Sequence, residues 1–262
     1  MNGTGGRMCS IDLNADLGEF PEALADGREE ALLRVVTSAN VACGGHAGDA
    51  ATMAGVVELA RRLGVRVGAH PGYPDRAGFG RDTIGMTPAE IERTVFEQVS
   101  ALAAVAERCG MRLAHVKPHG ALYNDAARDE AVATAVARAV RRLSPGAAVV
   151  GLAGSLALRV FASEGLRAIG ECFADRVYEA DGSLRSRKLP GALIADARAA
   201  AEQAVSIALR GVAIAEGGAL VRIGAETICI HGDGPDAAGF AMAVRAALSS
   251  SGVTVAAFGG GT

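Results

Sequence analysis

Tryptophan is absent, and aromatic residues make up only 4% of the chain. A core without large rings must be built from Ala, Val, Leu and Ile, as in an Ala-rich α/β protein. No C-x-x-C pair occurs, and the five cysteines (Cys9, Cys43, Cys109, Cys172 and Cys229) are odd in number and scattered. That pattern indicates neither a disulfide framework nor a structural zinc site; free thiols in a reducing cytoplasm are the expectation. An excess of positive charge is also missing: 26 Lys and Arg stand against 29 Asp and Glu, for a net charge of −3. With no basic stripe, nucleic acid is excluded as a partner. No apolar run reaches membrane-spanning length, and the opening MNGTGGRMCS has no apolar centre of the kind a signal peptide carries. A GxxxxGK[ST] loop is lacking too, so any nucleotide would need a different cradle.

What is present is ordered and repetitive. The 262 residues are half hydrophobic and 21% charged, the balance of a globular enzyme. Short apolar strands are expected near 9–13, 38–42, 65–69, 113–116, 147–152, 166–172 and 227–231. Helical patterns separate them, notably Met53, Val56, Val57, Ala60 and Leu63 before Gly64, and Ile91, Val95, Val99, Leu102 and Ala106 before Gly110. Thr87, Pro88 and Glu90 write a capping box with proline in the first turn. Further helices are expected at 29–36, 129–143, 194–210 and 237–249, residues 211–225 should be irregular, and a weak segment lies at 253–256. Composition does not break anywhere, so 1–262 is read as a single α/β domain with a parallel sheet of about seven strands.

Polar clusters follow six of these strands. An open doubly wound sheet gathers ligand groups at one switch point, whereas every strand end of a barrel faces one mouth. The distribution therefore predicts a TIM-like (β/α) barrel. Asp12, Asn14, Asp16 and Glu19 crowd the first strand end, where carboxylates can hold a metal, act as a base or orient a cation. His46 sits in a glycine-rich turn beside Cys43, which is read as a small buried residue and not a nucleophile. His70 ends the third strand and opens a long loop through Tyr73 to Met86, of a length that favours function. In HVKPHGALYN, Lys117, His119 and Tyr123 fall within one short stretch. Lys117 suits a phosphate, a carboxylate or a developing oxyanion; an internal salt bridge to one of the acids is the equally weighted alternative. Glu171, Asp175 and Arg176 add an acid and a guanidinium able to grip a carboxylate, and His231 with Asp233 forms a possible acid–base pair. Asp16, His46 and His70 could hold a divalent metal, since carboxylate and imidazole suit Zn, Mn or Fe.

Taken together, IDLNADLGE (11–19), SANVACG with HAGD (38–49), GAHPGYPD (68–75), GFGR (78–81), HVKPHGALYN (115–124), VGLAGS (150–155), FADRVY with DGSL (173–184) and TICIHGD (227–233) resemble the LamB/YcsF family. The resemblance implies a non-standard TIM-like barrel related to the glycoside hydrolase/deacetylase superfamily. It also implies ATP-dependent opening of 5-oxoproline (pyroglutamate) to L-glutamate, with ATP accompanied by Mg2+ and with two further subunits, B and C. Within that frame Asp16, Glu19, His46, His70, Lys117 and His119 are the catalytic candidates. Asp12, Asn14, Tyr73, Tyr123, Glu171, Asp175, Arg176, His231 and Asp233 are the candidates for substrate binding. One departure is visible: the family usually has an aromatic residue before the motif histidine, where this chain has Gly45. Two other classes stay open, a stand-alone metal-dependent amide or deacetylase-type hydrolase and a non-catalytic substrate-binding subunit.

Overall fold

A computed structural model describes residues 9–143, 146–231 and 236–259. Its centre is a closed ring of parallel strands: β1 (Ser10–Leu17), β2 (Ser38–Ala42), β3 (Arg66–His70), β4 (His115–Val116), β5 (Ala148–Leu152), β6 (Arg167–Phe173) and β9 (Thr227–Ile230). The ring closes where β9 pairs with β1 in parallel, Asp12 opposite Thr227 and Asn14 opposite Cys229. This is the seven-stranded barrel expected from the strand-end clusters. A short strand β10 (Thr254–Val255) pairs with Ser10 and Ile11 at the start of β1, which gives the weak C-terminal segment its place.

Around the ring pack α3 (Ala50–Leu63), α4 (Pro88–Arg108), α6 (Glu130–Leu143), α7 (Leu156–Ser163), α8 (Ala197–Arg210) and α9 (Ala237–Ser250). Their boundaries follow local chemistry. Asp49 accepts from the amides of Ala51 and Thr52 to start α3, and Gly64 ends it in the left-handed conformation at φ +70. The Thr87–Glu90 capping box opens α4. Helix α8 begins at Ala197 and not at Ile194 because the Asp196 carboxylate caps the amide of Ala199. The helix expected at 29–36 is α2 (Arg28–Leu33), and a further short helix, α1 (Pro21–Ala25), precedes it with Gly27 at φ +86 between them. A short helix α5 (Gly120–Ala126) also follows β4 directly.

Residues 211–225 correct the expectation of irregular chain. They hold an antiparallel hairpin, β7 (Val212–Ile214) with β8 (Leu220–Arg222), in which Ile214 faces Leu220. Glycines at 217 and 218 both take positive φ and turn the chain between two segments too short for their periodicity to show. Among the described residues no helix is long and apolar enough to cross a membrane.

The barrel interior is polar. Aliphatic side chains, including Leu13, Ala15, Val41, Val67 and Ile228, pack outward against the helices, while alternate residues of the same strands turn inward. At the lower level Asp12 accepts hydrogen bonds from Thr37 at 2.6 Å, Ser38 at 2.7 Å and Thr227 at 2.5 Å. Above it Asn14 donates to Thr227 and Glu171, and Asn40 donates to Asn14 at 2.7 Å. His115 donates from Nε2 to the Asn40 amide oxygen at 2.7 Å. Its ring occupies space that any larger residue at 68 would need, since a Cβ on Gly68 would lie 2.1 Å from that nitrogen.

Candidate active site

The C-terminal ends of the strands surround a cavity of about 920 Å³, at the upper end of the roughly 300–1,000 Å³ typical of small-molecule sites. Of the residues singled out from sequence, Asp16, Glu19, His70, Lys117, His119, Tyr123, Arg176 and His231 line it. Asp12, Asn14 and Glu171 lie below the mouth in the interior network, with Glu171 Oε1 engaged and its Oε2 buried without a partner. Tyr73 is buried behind it with its hydroxyl donating to Asp125 at 3.0 Å. His46 is held behind Glu19, and Asp175 behind His231. These six are not among the residues that line the cavity. Asp233 falls outside the described residues.

Lys117 is the hub. It is 3% exposed, and its Nζ lies 2.9 Å from Asp16 Oδ1, 3.0 Å from Glu171 Oε1 and 3.1 Å from Cys229 Sγ. Burial works against its charge, but Asp16, Cys229 and Glu171 outweigh that and hold its pKa well above the ordinary value. Burial likewise opposes the Asp16 carboxylate, and His70 and Lys117 reverse the effect, so Asp16 sits well below the usual range. Asn40 donates to the same Asp16 oxygen at 2.8 Å. The internal salt bridge weighed from sequence is therefore present, and its lysine still faces the cavity.

Beside this hub three histidines converge on one carboxylate. Glu19 Oε1 is 3.0 Å from His46 Nε2, 3.3 Å from His119 Nδ1 and 3.9 Å from His70 Nε2. His70 Nε2 is 3.4 Å from Asp16 Oδ2. Backbone carbonyls fix two of the rings: His70 donates from Nδ1 to Lys117 O at 2.8 Å, and His119 from Nε2 to Phe79 O at 2.9 Å. Burial and then the charge of His70 push His46 and His119 down to about 2. Phe79 takes φ +54, the left-handed region unfavourable to a large side chain, and its ring meets both His46 and His119 edge-on. The loop after β3 thus folds over the histidines.

On the opposite wall Arg176 lines the cavity at 7% exposure, donating from Nη2 to Arg185 O at 2.6 Å, while its buried Nε has no partner. His231 pairs through Nδ1 with Asp175 Oδ2 at 2.6 Å and stacks on Phe173. Tyr123 projects from α5, its hydroxyl pKa driven well up by burial and by Glu171. Cys43 is buried, its thiol pushed up to about 12 by burial, which makes it unreactive as expected.

Sequence reasoning missed several participants. Ser38 and Asn40 alternate on β2 as Asp12, Asn14 and Asp16 do on β1, and that shared polar alternation within buried strands was the available signal. Cys229 on β9, Arg159 in α7, Arg222 on β8 and the rim arginines Arg81, Arg128 and Arg187 between elements come from separate parts of the chain and carry no local signature.

A closed parallel barrel with its titratable groups gathered at the C-terminal mouth is the architecture of a (β/α)-barrel enzyme. More narrowly, the chain belongs to the LamB/YcsF family, whose profile matches residues 11–261. It is 54% identical over 248 residues to the 5-oxoprolinase A subunit of Chloroflexus aggregans, covering 95% of this chain and 98% of the relative. It is 49% identical to the protein of the same name from Methylococcus capsulatus, covering 96% of each. Among solved structures, the lactam utilization protein of Thermus thermophilus superimposes with a TM-score of 0.89 at 43% identity, over 95% of this chain and 100% of that one.

Proposed function

We propose that this chain is the A component of an ATP-dependent 5-oxoprolinase, opening 5-oxo-L-proline to L-glutamate together with two further subunits, B and C. The observation that carries the reading is the buried Lys117–Asp16 pair at the floor of an arginine-rimmed mouth. Supporting it are the relatives named as the A subunit of 5-oxoprolinase and the solved relative named for lactam utilization. The word subunit in those names is the basis for the partners.

A five-membered lactam resists hydrolysis because its amide is resonance-stabilised. Transfer of the γ-phosphoryl group of ATP, which enters as its Mg2+ complex, to the carbonyl oxygen releases ADP and leaves the ring carbon electrophilic. A water, oriented by Asp16, the carboxylate that faces the cavity and is held by Lys117 and Asn40, bonds through its oxygen to that carbon and loses its proton to solvent. The C–N bond breaks, the ring nitrogen takes up a proton, and a second water releases phosphate from the resulting acyl phosphate to leave L-glutamate. Lys117 stabilises the oxygen on which negative charge develops. Arg176, whose side chain lines the cavity, meets the substrate carboxylate, and the rim arginines face the phosphoryl group.

The test is glutamate release from 5-oxoproline, with and without ATP, by the chain alone and with its B and C partners. ATP-dependent glutamate in the full mixture is expected, and its loss in Lys117→Ala and Asp16→Ala. Full activity in both variants would sink this site assignment.

A further inference from the structure

We infer that Glu19, His70 and His119 form a binding site for a single divalent transition-metal ion on the wall of the mouth, with Asp16 beside its open side. The inference deepens the proposed function by adding a cation to the same site.

The argument is one of donors and acceptors. A backbone carbonyl can only accept, so His70 carries its hydrogen on Nδ1, toward Lys117 O, and His119 carries its own on Nε2, toward Phe79 O. The remaining nitrogens, His70 Nε2 and His119 Nδ1, face each other across 3.0 Å, and an ion between them would replace the hydrogen that the charged form of His70 carries on Nε2. Glu19 Oε1 faces the same point, 3.3 Å from His119 Nδ1, and Asp16 Oδ2 lies 3.4 Å from His70 Nε2. Two ring nitrogens and two carboxylate oxygens therefore converge, and the three ligand atoms proposed all lie within 4.8 Å of one another. One proton bridges only two of these atoms, whereas an ion is shared by all three ligands. The two rings are perpendicular, at 89°, so an ion on the line common to both ring planes lies in the plane of each.

The supporting hydrogen bonds are also in place. Ligating histidines commonly donate their other N–H to a carbonyl or carboxylate, which fixes tautomer and ring orientation, and both rings do so here. His46 serves the carboxylate in the same way, donating to Glu19 at 3.0 Å. It is not itself placed as a ligand: its ring lies parallel to that of His119, with centroids 3.5 Å apart and planes within 5°. An ion in the plane of one ring is out of the plane of the other. The ligand set expected from sequence, Asp16, His46 and His70, is thus redrawn, with Glu19 and His119 replacing Asp16 and His46. Two imidazoles and a carboxylate suit Zn2+, Mn2+, Fe2+ or Co2+. Such an ion would act as a Lewis acid toward a carbonyl or a water at the mouth.

The experiment strips the full chain with chelator and titrates it with Zn2+ by calorimetry and with Co2+ by visible absorption. One ion per chain is expected, together with the d–d bands of a low-symmetry nitrogen and oxygen site. Affinity should fall at least tenfold in Glu19→Gln and in His119→Gln, and His231→Asn should leave it unchanged. No stoichiometric binding would overturn the inference. So would binding that ignores the first two variants, or that depends on His231, which belongs with Asp16 and Cys229 to a second ligand-rich cluster. Should either variant fail to fold, X-ray absorption on Zn-loaded wild-type protein decides: imidazole scattering with no sulfur bound to the ion is expected, and sulfur would move the ion to Cys229. None of these readings uses the glutamate assay, so failure of the metal site and failure of the oxoprolinase reading are separable.

Discussion

Lys117 Nζ and Asp16 Oδ1 meet at 2.9 Å across 101 residues of chain. The contact joins the ends of β1 and β4, which lie on different sides of the barrel and share no strand pairing. It forms because the closed ring leaves both side chains only one polar volume to occupy. Removing the lysine strands two carboxylates, Asp16 and Glu171, in a buried interior. Breaking a buried pair in this way costs about 3–5 kcal/mol. Lys117→Met should lose stability of that order in urea unfolding and lose glutamate release in the complex. Lys117→Arg should not restore activity, because a planar fork cannot take the place of a point charge among three neighbours.

Arg176 gives a prediction that separates binding from chemistry. Arg176→Ala should raise KM for 5-oxoproline by tenfold or more while kcat falls less, since the group meets the substrate carboxylate in ground and transition states alike. Steady-state kinetics of the assembled complex reads the split; an unchanged KM would remove Arg176 from the substrate site.

Glu29 makes stability depend on pH. It is 5% exposed, accepts from the Gly18 amide at 2.7 Å, and its second oxygen is unpaired. Burial raises its pKa from 4.5 to about 7, opposed by the Gly18 hydrogen bond and Arg28 and reinforced by Glu19 and Asp26. A carboxyl raised in the folded state contributes stability that is complete below pH 4.5 and disappears as pH rises through about 7. Glu29→Gln keeps the acceptor and cannot ionise. Its stability relative to wild type should therefore improve between pH 5 and pH 8, by up to about 3 kcal/mol. Denaturant midpoints at the two pH values check the sign.

Gln98 fills the space beside Gly45. A Cβ on Gly45 would lie 2.3 Å from Gln98 Oε1. From that position Gln98 clamps both backbone groups of Gly72, accepting from its amide at 3.0 Å and donating to its carbonyl at 2.8 Å. Gly45→Ala should destabilise by crowding, and Gln98→Ala by about 1–3 kcal/mol through the unpaired Gly72 groups. The double variant should cost less than the sum, since removing the Gln98 amide vacates the space that the added methyl group needs. Thermal unfolding of the four proteins measures the coupling; strict additivity would show that the two positions do not compete.

Much of this molecule was legible in one dimension. Helix limits such as Asp49 to Gly64 and Thr87 onward are local hydrogen-bond chemistry, written within a turn or two of chain. Strand positions followed from apolar runs, and barrel closure followed from polar residues after six strand ends. The hairpin at 212–222 escaped because its strands are too short for alternation to register, and the polar barrel interior escaped because inward Asn40 and Ser38 look ordinary among apolar neighbours. Which residues reach the cavity could not be read at all, since Asp12, Asn14 and Asp16 share one face of β1 and differ only in depth.

The amino-acid order by itself therefore determined the elements, their sequence around the barrel and the set of groups near its mouth, because caps, turns and periodicities act over a few residues. Tertiary structure alone decided the partnerships: Lys117 with Asp16, Glu19 amid three histidines, Gln98 in the space beside Gly45. Those depend on ring closure, which brings strand ends together at ångström distances that no spacing along the chain encodes.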